Sequence, residues 1–145
     1  MIRVQRDDFD VGAEIEALSR LHGSVGAIAT FTGYVRGEDG LEALILEHYP
    51  AMTEREIARH VESAREKWLL HGVAIVHRVG RLAPGERIVF VGVAAAHRRT
   101  AFQACEFLMD YLKAHAPFWK QEERATGTIW IEAKTSDADA AKRWR

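Results

Sequence analysis

The sequence predicts an α+β fold, a mixed or antiparallel sheet with helices packed on it. Three observations carry that prediction. Strand-like segments come in neighbouring pairs, 25–35 with 42–49 and 73–80 with 87–95. Two long segments, 53–70 and 97–115, repeat apolar residues at helical spacing. Apolar residues make up 48% and charged residues 28%, the mix of a chain that buries a core rather than one that stays disordered. The 145 residues fit one domain at roughly 100–200 residues per domain. No repeat, low-complexity tract or Pro/Gly-rich linker divides them, so 1–145 reads as a single unit.

Residues 11–22 read as a helix with Ile15, Leu18 and Leu21 on one face. Gly23 and Gly26 break it, and the small, β-branched and aromatic run 25–35 reads as a strand. A polar loop, Arg36-Gly37-Glu38-Asp39-Gly40, follows, so Arg36 is presented where that strand ends. Residues 42–49 alternate around Leu44, Leu46 and His48, and Pro50 stops them because proline cannot donate to a ladder. Thr53-x-x-Glu56 has the pattern of a capping box, and Ile57, Val61, Ala64 and Trp68 give the helix its buried stripe. Glu54, Arg55, Arg59, Glu62, Arg65 and Glu66 form its solvated face, with pairs at i,i+3 and i,i+4. Strands 73–80 and 87–95 are joined around Pro84-Gly85, residues suited to the centre of a type II turn. The run from Ile88 to Ala95 is apolar on both faces, as a central, doubly covered strand must be. Ala101, Phe102, Cys105, Leu108, Met109 and Leu112 make the buried stripe of helix 97–115. Pro117-Phe118-Trp119 reads as a rigid aromatic bend, 128–133 as a last strand, and Ser136 as the cap of a short helix through 142.

The composition excludes several function classes. Twenty Lys and Arg stand against 21 Asp and Glu, without the basic excess of a nonspecific nucleic-acid binder. No apolar run approaches the roughly 20 residues that span a bilayer, and the first residues lack a signal-like apolar region. A cytoplasmic protein without membrane contact is expected. The single Cys105 excludes an internal disulfide and a cysteine zinc cluster, and its place in an apolar stripe makes it a buried hydrophobe rather than a nucleophile. The histidines are scattered, so no metal site is expected. None of the standard nucleotide-binding, hydrolase or metalloprotease motifs occurs.

The chemistry therefore falls to cations. His97-Arg98-Arg99 opens a helix, where the dipole disfavours positive charge and unpaired N–H groups favour an anion. Either an anion binds there or these side chains splay into solvent or pair with acids elsewhere. Lys113 and Lys120 flank the aromatic bend at the helix's other end, where desolvation can lower a lysine pKa and make it a usable acid or base. The alternative is that both are solvated, snorkelling side chains. Arg98 and Lys113 are 15 residues apart, roughly 22 Å along a helix. Both clusters reach one small anion only if a second copy of the chain supplies one of them, as in a two-fold dimer.

A set of motifs then identifies a family. Thr30-Phe31-Thr32-Gly33-x-Val35-Arg36, Leu46-Glu47-His48-Tyr49-Pro50-x-Met52-Thr53, His77-Arg78-Val79-Gly80, Ala96-His97-Arg98, Asp110-Tyr111-Leu112-Lys113, Pro117-Phe118-Trp119-Lys120-x-Glu122 and Ala141-Lys142-Arg143-Trp144 occur in order between about residues 25 and 144. This set resembles the large, catalytic subunit of molybdopterin synthase, the MoaE family. The resemblance implies an α/β-hammerhead fold and a sulfurtransferase that needs no cofactor. Such an enzyme converts cyclic pyranopterin monophosphate (precursor Z) to the molybdopterin dithiolene. Sulfur arrives as a thiocarboxylate on the C-terminal Gly-Gly of a small ubiquitin-like subunit. A central homodimer carrying two small subunits, a heterotetramer, is implied. By the same resemblance Lys113 and Lys120 are catalytic. Tyr34, Val35, Arg36, His97, Arg98, Gln121 and Glu122 meet the substrate, and Phe31, Met109 and Lys134 line the pocket of the partner's tail. Loop 37–41 is shorter and more acidic than is common in that family, and Lys134 stands where arginine is frequent. The competing reading is a noncatalytic module that binds a phosphorylated small molecule or a ubiquitin-like tail with the same cations.

Overall fold

The computed structural model describes residues 1–131 and 135–144. The chain runs β1 (Ile2–Gln5), α1 (Val11–Ser19), β2 (Ala27–Tyr34), β3 (Ala43–His48), α2 (Met52–Lys67), β4 (Gly72–Arg78), β5 (Gly80–Leu82), β6 (Arg87–Ala95), α3 (Arg98–Ala114), β7 (Phe118–Arg124), β8 (Gly127–Ile131) and α4 (Thr135–Lys142). Two four-stranded sheets result, ordered β1-β4-β6-β2 and β5-β3-β7-β8. The first is mixed, since β1 runs parallel to β4 while β4 and β2 run antiparallel to β6. The second is antiparallel throughout. The expected α+β class holds.

Strand β6 is central and covered on both faces, as its apolar run predicts. Alternation sends Val89, Val91, Val93 and Ala95 into the core under α2 and α3, where they meet Ala101, Ala104 and Leu108. Phe90 and Ala94 point the other way, to Leu18 of α1 and Phe9. The hairpin from β4 to β6 turns at Pro84-Gly85. Gly85 has φ 89°, the left-handed value that the third position of a type II turn requires, and Glu86 N–H donates to the Ala83 carbonyl at 3.1 Å. Asp10 caps α1 through a 2.9 Å bond from Ala13 N–H. The Arg65–Glu62 pair lies on the solvated face of α2 as expected.

Several expectations are corrected. Helix α1 ends at Ser19, so Leu21 leaves its apolar face and is exposed. The capping box does not form: Tyr49-Pro50-Ala51 turns tightly, with Ala51 at φ 67°, and starts α2 at Met52. Thr53 thus lies inside the first turn, fully buried, and donates its hydroxyl to the Pro117 carbonyl at 3.5 Å, while Glu56 pairs with Arg59. Phe102 is exposed, because at 100° per residue it sits roughly a quarter-turn from the centre of the stripe formed by Ala101, Cys105, Leu108 and Leu112. Ser136 falls within α4 rather than before it. Strands β1, β5 and β7 were not anticipated. The first two are only four and three residues long. In the third, the expected aromatic bend is the start of a strand whose sequence, FWKQEER, has no apolar alternation and is fixed by pairing to β3 and β8.

Gly26 meets its neighbours closely, because a Cβ there would lie 2.1 Å from the Ala96 carbonyl oxygen, whereas Gly23 faces open space. Gly26→Ala is expected to cost about 1–3 kcal/mol or more and Gly23→Ala about 0.5 kcal/mol at most. Urea unfolding of the two variants checks this, and equal midpoints would contradict the close approach.

Candidate functional site

A cavity of about 630 Å³ opens where the end of β2, the last turns of α3 and the head of β7 converge. Three cations reach it from three places in the chain: Arg36 after β2, Lys113 on α3 and Lys120 on β7. The stripe of α3 seats that helix on the first sheet, and Lys113 follows Leu112 at the edge of the buried face, in the last turn. There the negative end of the helix dipole favours its charge. Lys120 projects from the strand face that also carries Phe118, two residues earlier. Arg36 is exposed and pairs with Glu38 at 3.0 Å. Phe31, Met109, Leu112 and Phe118 supply apolar wall, and Asp137 of α4 brings a carboxylate. The volume lies within the roughly 300–1,000 Å³ of small-molecule sites. Cations set among apolar walls can hold an anion and strengthen or move a charge that water would otherwise screen.

His77, at the end of β4, also lines this cavity. It is buried and its ring stacks on Phe118, with centroids 3.9 Å apart and planes 18° from parallel. Its Nδ1 lies 2.9 Å from the Arg78 carbonyl, an acceptor, so that nitrogen carries the proton and donates it. In the neutral ring Nε2 therefore keeps its lone pair. Burial pushes the imidazole down to about 4, and the positive charges of Lys120, Lys113 and His48 push in the same direction.

Of the residues picked from sequence, the structure brings Phe31, Tyr34, Arg36, Met109, Lys113 and Lys120 to one cavity. His97 and Arg98 lie at the opposite end of α3, exposed, as the 15-residue spacing requires. The Val35 side chain turns away into a core cluster with Leu46 and Leu82, and its N–H donates to the Glu86 carbonyl at 2.9 Å. Glu122 accepts a 3.1 Å bond from Arg124, and Gln121 alternates to the strand face opposite Lys120. Neither borders the cavity. Lys134 lies outside the described residues. Cys105 is buried with its Sγ 3.8 Å from the Val91 carbonyl, and burial pushes its thiol up to about 11, as a packing role demands. Sequence reasoning missed His77 and Asp137 as cavity residues. The available signal for His77 was a titratable residue directly after the apolar run Gly72-Val73-Ala74-Ile75-Val76 of a strand. Among the described residues, no three His, Cys, Asp or Glu side chains cluster to hold a metal, and no helix is long and apolar enough to cross a membrane.

Comparison with known proteins gives a consistent result. The family model described as MoaE protein matches residues 4–115. The molybdopterin synthase catalytic subunit of Mesorhizobium japonicum is 54% identical over 147 residues, covering 99% of this chain and 92% of that protein. The subunit of the same name from Escherichia coli K12 is 52% identical over 139 residues, covering 94% and 92%. Among solved structures, the molybdopterin biosynthesis MoaE protein of Burkholderia ambifaria superposes with a TM-score of 0.86 at 49% identity, covering 99% of this chain and 97% of that one. The crystal structure of molybdopterin synthase from Staphylococcus aureus gives 0.81 at 30% identity, covering 90% and 96%.

Because the folded protein holds His77 neutral down to about 4 while an unfolded histidine protonates near 6.5, the unfolded chain gains the proton first on acidification. Stability is expected to be full above pH 6.5 and to fall by about 3 kcal/mol between pH 6.5 and 4 from this group. Half-buried His60 adds to the loss in the same direction. Urea unfolding at a series of pH values checks this. His77→Phe should flatten the slope, and an unchanged slope would contradict it.

Proposed function

The chain belongs to the MoaE family, and on that premise we propose that it is the catalytic subunit of a molybdopterin synthase. It is a sulfurtransferase of molybdenum cofactor biosynthesis. Precursor Z is its substrate, and the thiocarboxylated C-terminus of a small ubiquitin-like subunit is its sulfur donor. The observation that supports this most is the meeting of Lys113 and Lys120, from different elements, with Arg36 in one partly apolar cavity.

In this reading an extended Gly-Gly tail enters between Phe31 and Met109, where main-chain contacts and capture of the terminus suit such a segment. The lack of side chains on the tail lets its backbone come close to the lysines. Sulfur bonds to a side-chain carbon of the pterin as that carbon's bond to oxygen breaks, the oxygen leaving on the opened cyclic phosphate in one round and as water in the other, while Lys113 stabilises the developing negative charge and supplies the proton. Water then cleaves the acyl–sulfur bond, leaving the tail as a carboxylate and the sulfur on the pterin. Two rounds complete the dithiolene. Lys120 holds the tail or the substrate anion beside Lys113. Arg36 and Tyr34 hold the phosphorylated pterin together with His97 and Arg98 of a second copy, since those two side chains lie at the far end of their own α3. The assembly is accordingly a homodimer with a small subunit at each outer end, and it works in the cytoplasm.

The test is to mix the chain with precursor Z and a thiocarboxylated small subunit and to measure dithiolene product. Lys113→Ala is expected to lower the rate about 100-fold or more while the small subunit still binds. A wild-type rate in that variant, or no product from the wild type with an active donor, would overturn the assignment. Arg36→Ala is expected to raise KM for precursor Z about 10-fold with a smaller change in kcat, as loss of one charge-assisted contact does. Initial rates over a range of substrate concentrations check it, and an unchanged KM would remove Arg36 from the substrate site.

A further inference from the structure

His77 and Lys120 belong to different sheets, and the cavity lies on the seam between them. His77 is held within the first sheet, opposite Val89 on β6 and Val4 on β1. Phe118 opens β7 in the second sheet, opposite His48 on β3. The ring stack of His77 on Phe118 therefore joins the two sheets at the cavity wall. Two further ties fix the same corner. Phe118 N–H donates to the Ala116 carbonyl at 2.8 Å, and the Pro117 carbonyl accepts from Thr53 on α2. Lys120 lies two residues beyond Phe118 on the same strand face, so any pivot of Phe118 moves its ammonium group.

We propose that His77 is a positioning residue for Lys120: stacked on Phe118 and pinned by its Nδ1–H to the Arg78 carbonyl, it clamps the head of β7 against β4 and sets where Lys120 enters the cavity. The inference rests on the reading of Lys120 as a group of the transfer site. A histidine suits the place because its neutral ring stacks flat on Phe118 while its proton satisfies a carbonyl. Charged groups act on it from three elements, Lys120 on β7, Lys113 on α3 and His48 on β3, and each opposes a charged ring. Asp137 borders the same cavity from α4. The neutral ring adds no further positive charge to the cavity that Arg36, Lys113 and Lys120 share.

The experiment uses the full chain assembled with its thiocarboxylated partner and two readouts. One is kcat and KM for product formation. The other is the rate at which acetic anhydride labels Lys120 relative to Lys67, which lies outside this cavity. His77→Ala is expected to lower kcat about 10-fold, to change KM for the small subunit less than threefold, and to alter the Lys120-to-Lys67 labelling ratio. His77→Phe keeps the aromatic stack but loses the Nδ1–H bond to the Arg78 carbonyl, so kcat and the ratio should lie between those of wild type and His77→Ala. Phe118→Leu, which keeps the apolar volume but loses the flat ring, should reproduce His77→Ala, and serves if that variant does not fold. An unchanged ratio and kcat in His77→Ala or Phe118→Leu would overturn the proposal. If wild type makes no product, the transfer reading fails, and the labelling ratio alone still decides whether His77 places Lys120.

Discussion

The seat of α3 on the first sheet governs the site. Ala101, Ala104, Cys105, Leu108 and Leu112 bury one stripe of the helix against Ala29, Val91 and Val93, and each large side chain so buried stabilises by roughly 1.5–3 kcal/mol. A helix held along that stripe has no rotational freedom left. Lys113 must then emerge beside the cavity, and His97 and Arg98 must stand at the far end. One packing interaction thus decides which cations of this chain share a cavity and which stand at the opposite end of α3.

The second sheet supplies the opposing wall by a different kind of physics. Its core is small, with Leu46, Leu82 and Val35 buried. Its strand β7 is mostly charged and takes its place from ladders to β3 and β8 rather than from apolar burial. Ion pairs such as Arg81–Glu123, at 2.7 Å, lie on its surface and contribute little. A sheet held this way needs ties to the rest of the molecule near its functional end. The His77–Phe118 stack and the Thr53–Pro117 bond provide them at the head of β7, two residues before Lys120.

What could be read from the residues divides by range. Strand β6 and its turn were legible because a doubly apolar run and a Pro-Gly pair declare themselves locally. The stripe of α3 was legible in its centre and misread at its edge, where Phe102 turns to solvent. Strand β7 was illegible because nothing in Phe118–Arg124 alternates; its conformation is set by partners far away in the chain, such as Leu46 beside Lys120. Thr53 fits a cap by its local pattern, but the left-handed turn at Ala51 starts the helix before it, and its hydroxyl turns inward to the Pro117 carbonyl, 64 residues along the chain. The lysines and Arg36 were found through charge placed at element ends and through motif resemblance. His77 escaped because its significance lies in a ring from the other sheet.

The central claim is that the cavity bounded by Arg36, Lys113 and Lys120 receives a glycine-ended peptide terminus. Titrating the isotopically labelled chain with a short peptide ending in Gly-Gly carboxylate, and following amide and lysine side-chain NMR signals, tests it directly. The account expects saturable shifts at Phe31, Arg36, Lys113 and Lys120 that weaken as salt is raised. Shifts confined to a second cavity, between His60, Tyr111 and Trp144, or no saturable shifts at all, would contradict it.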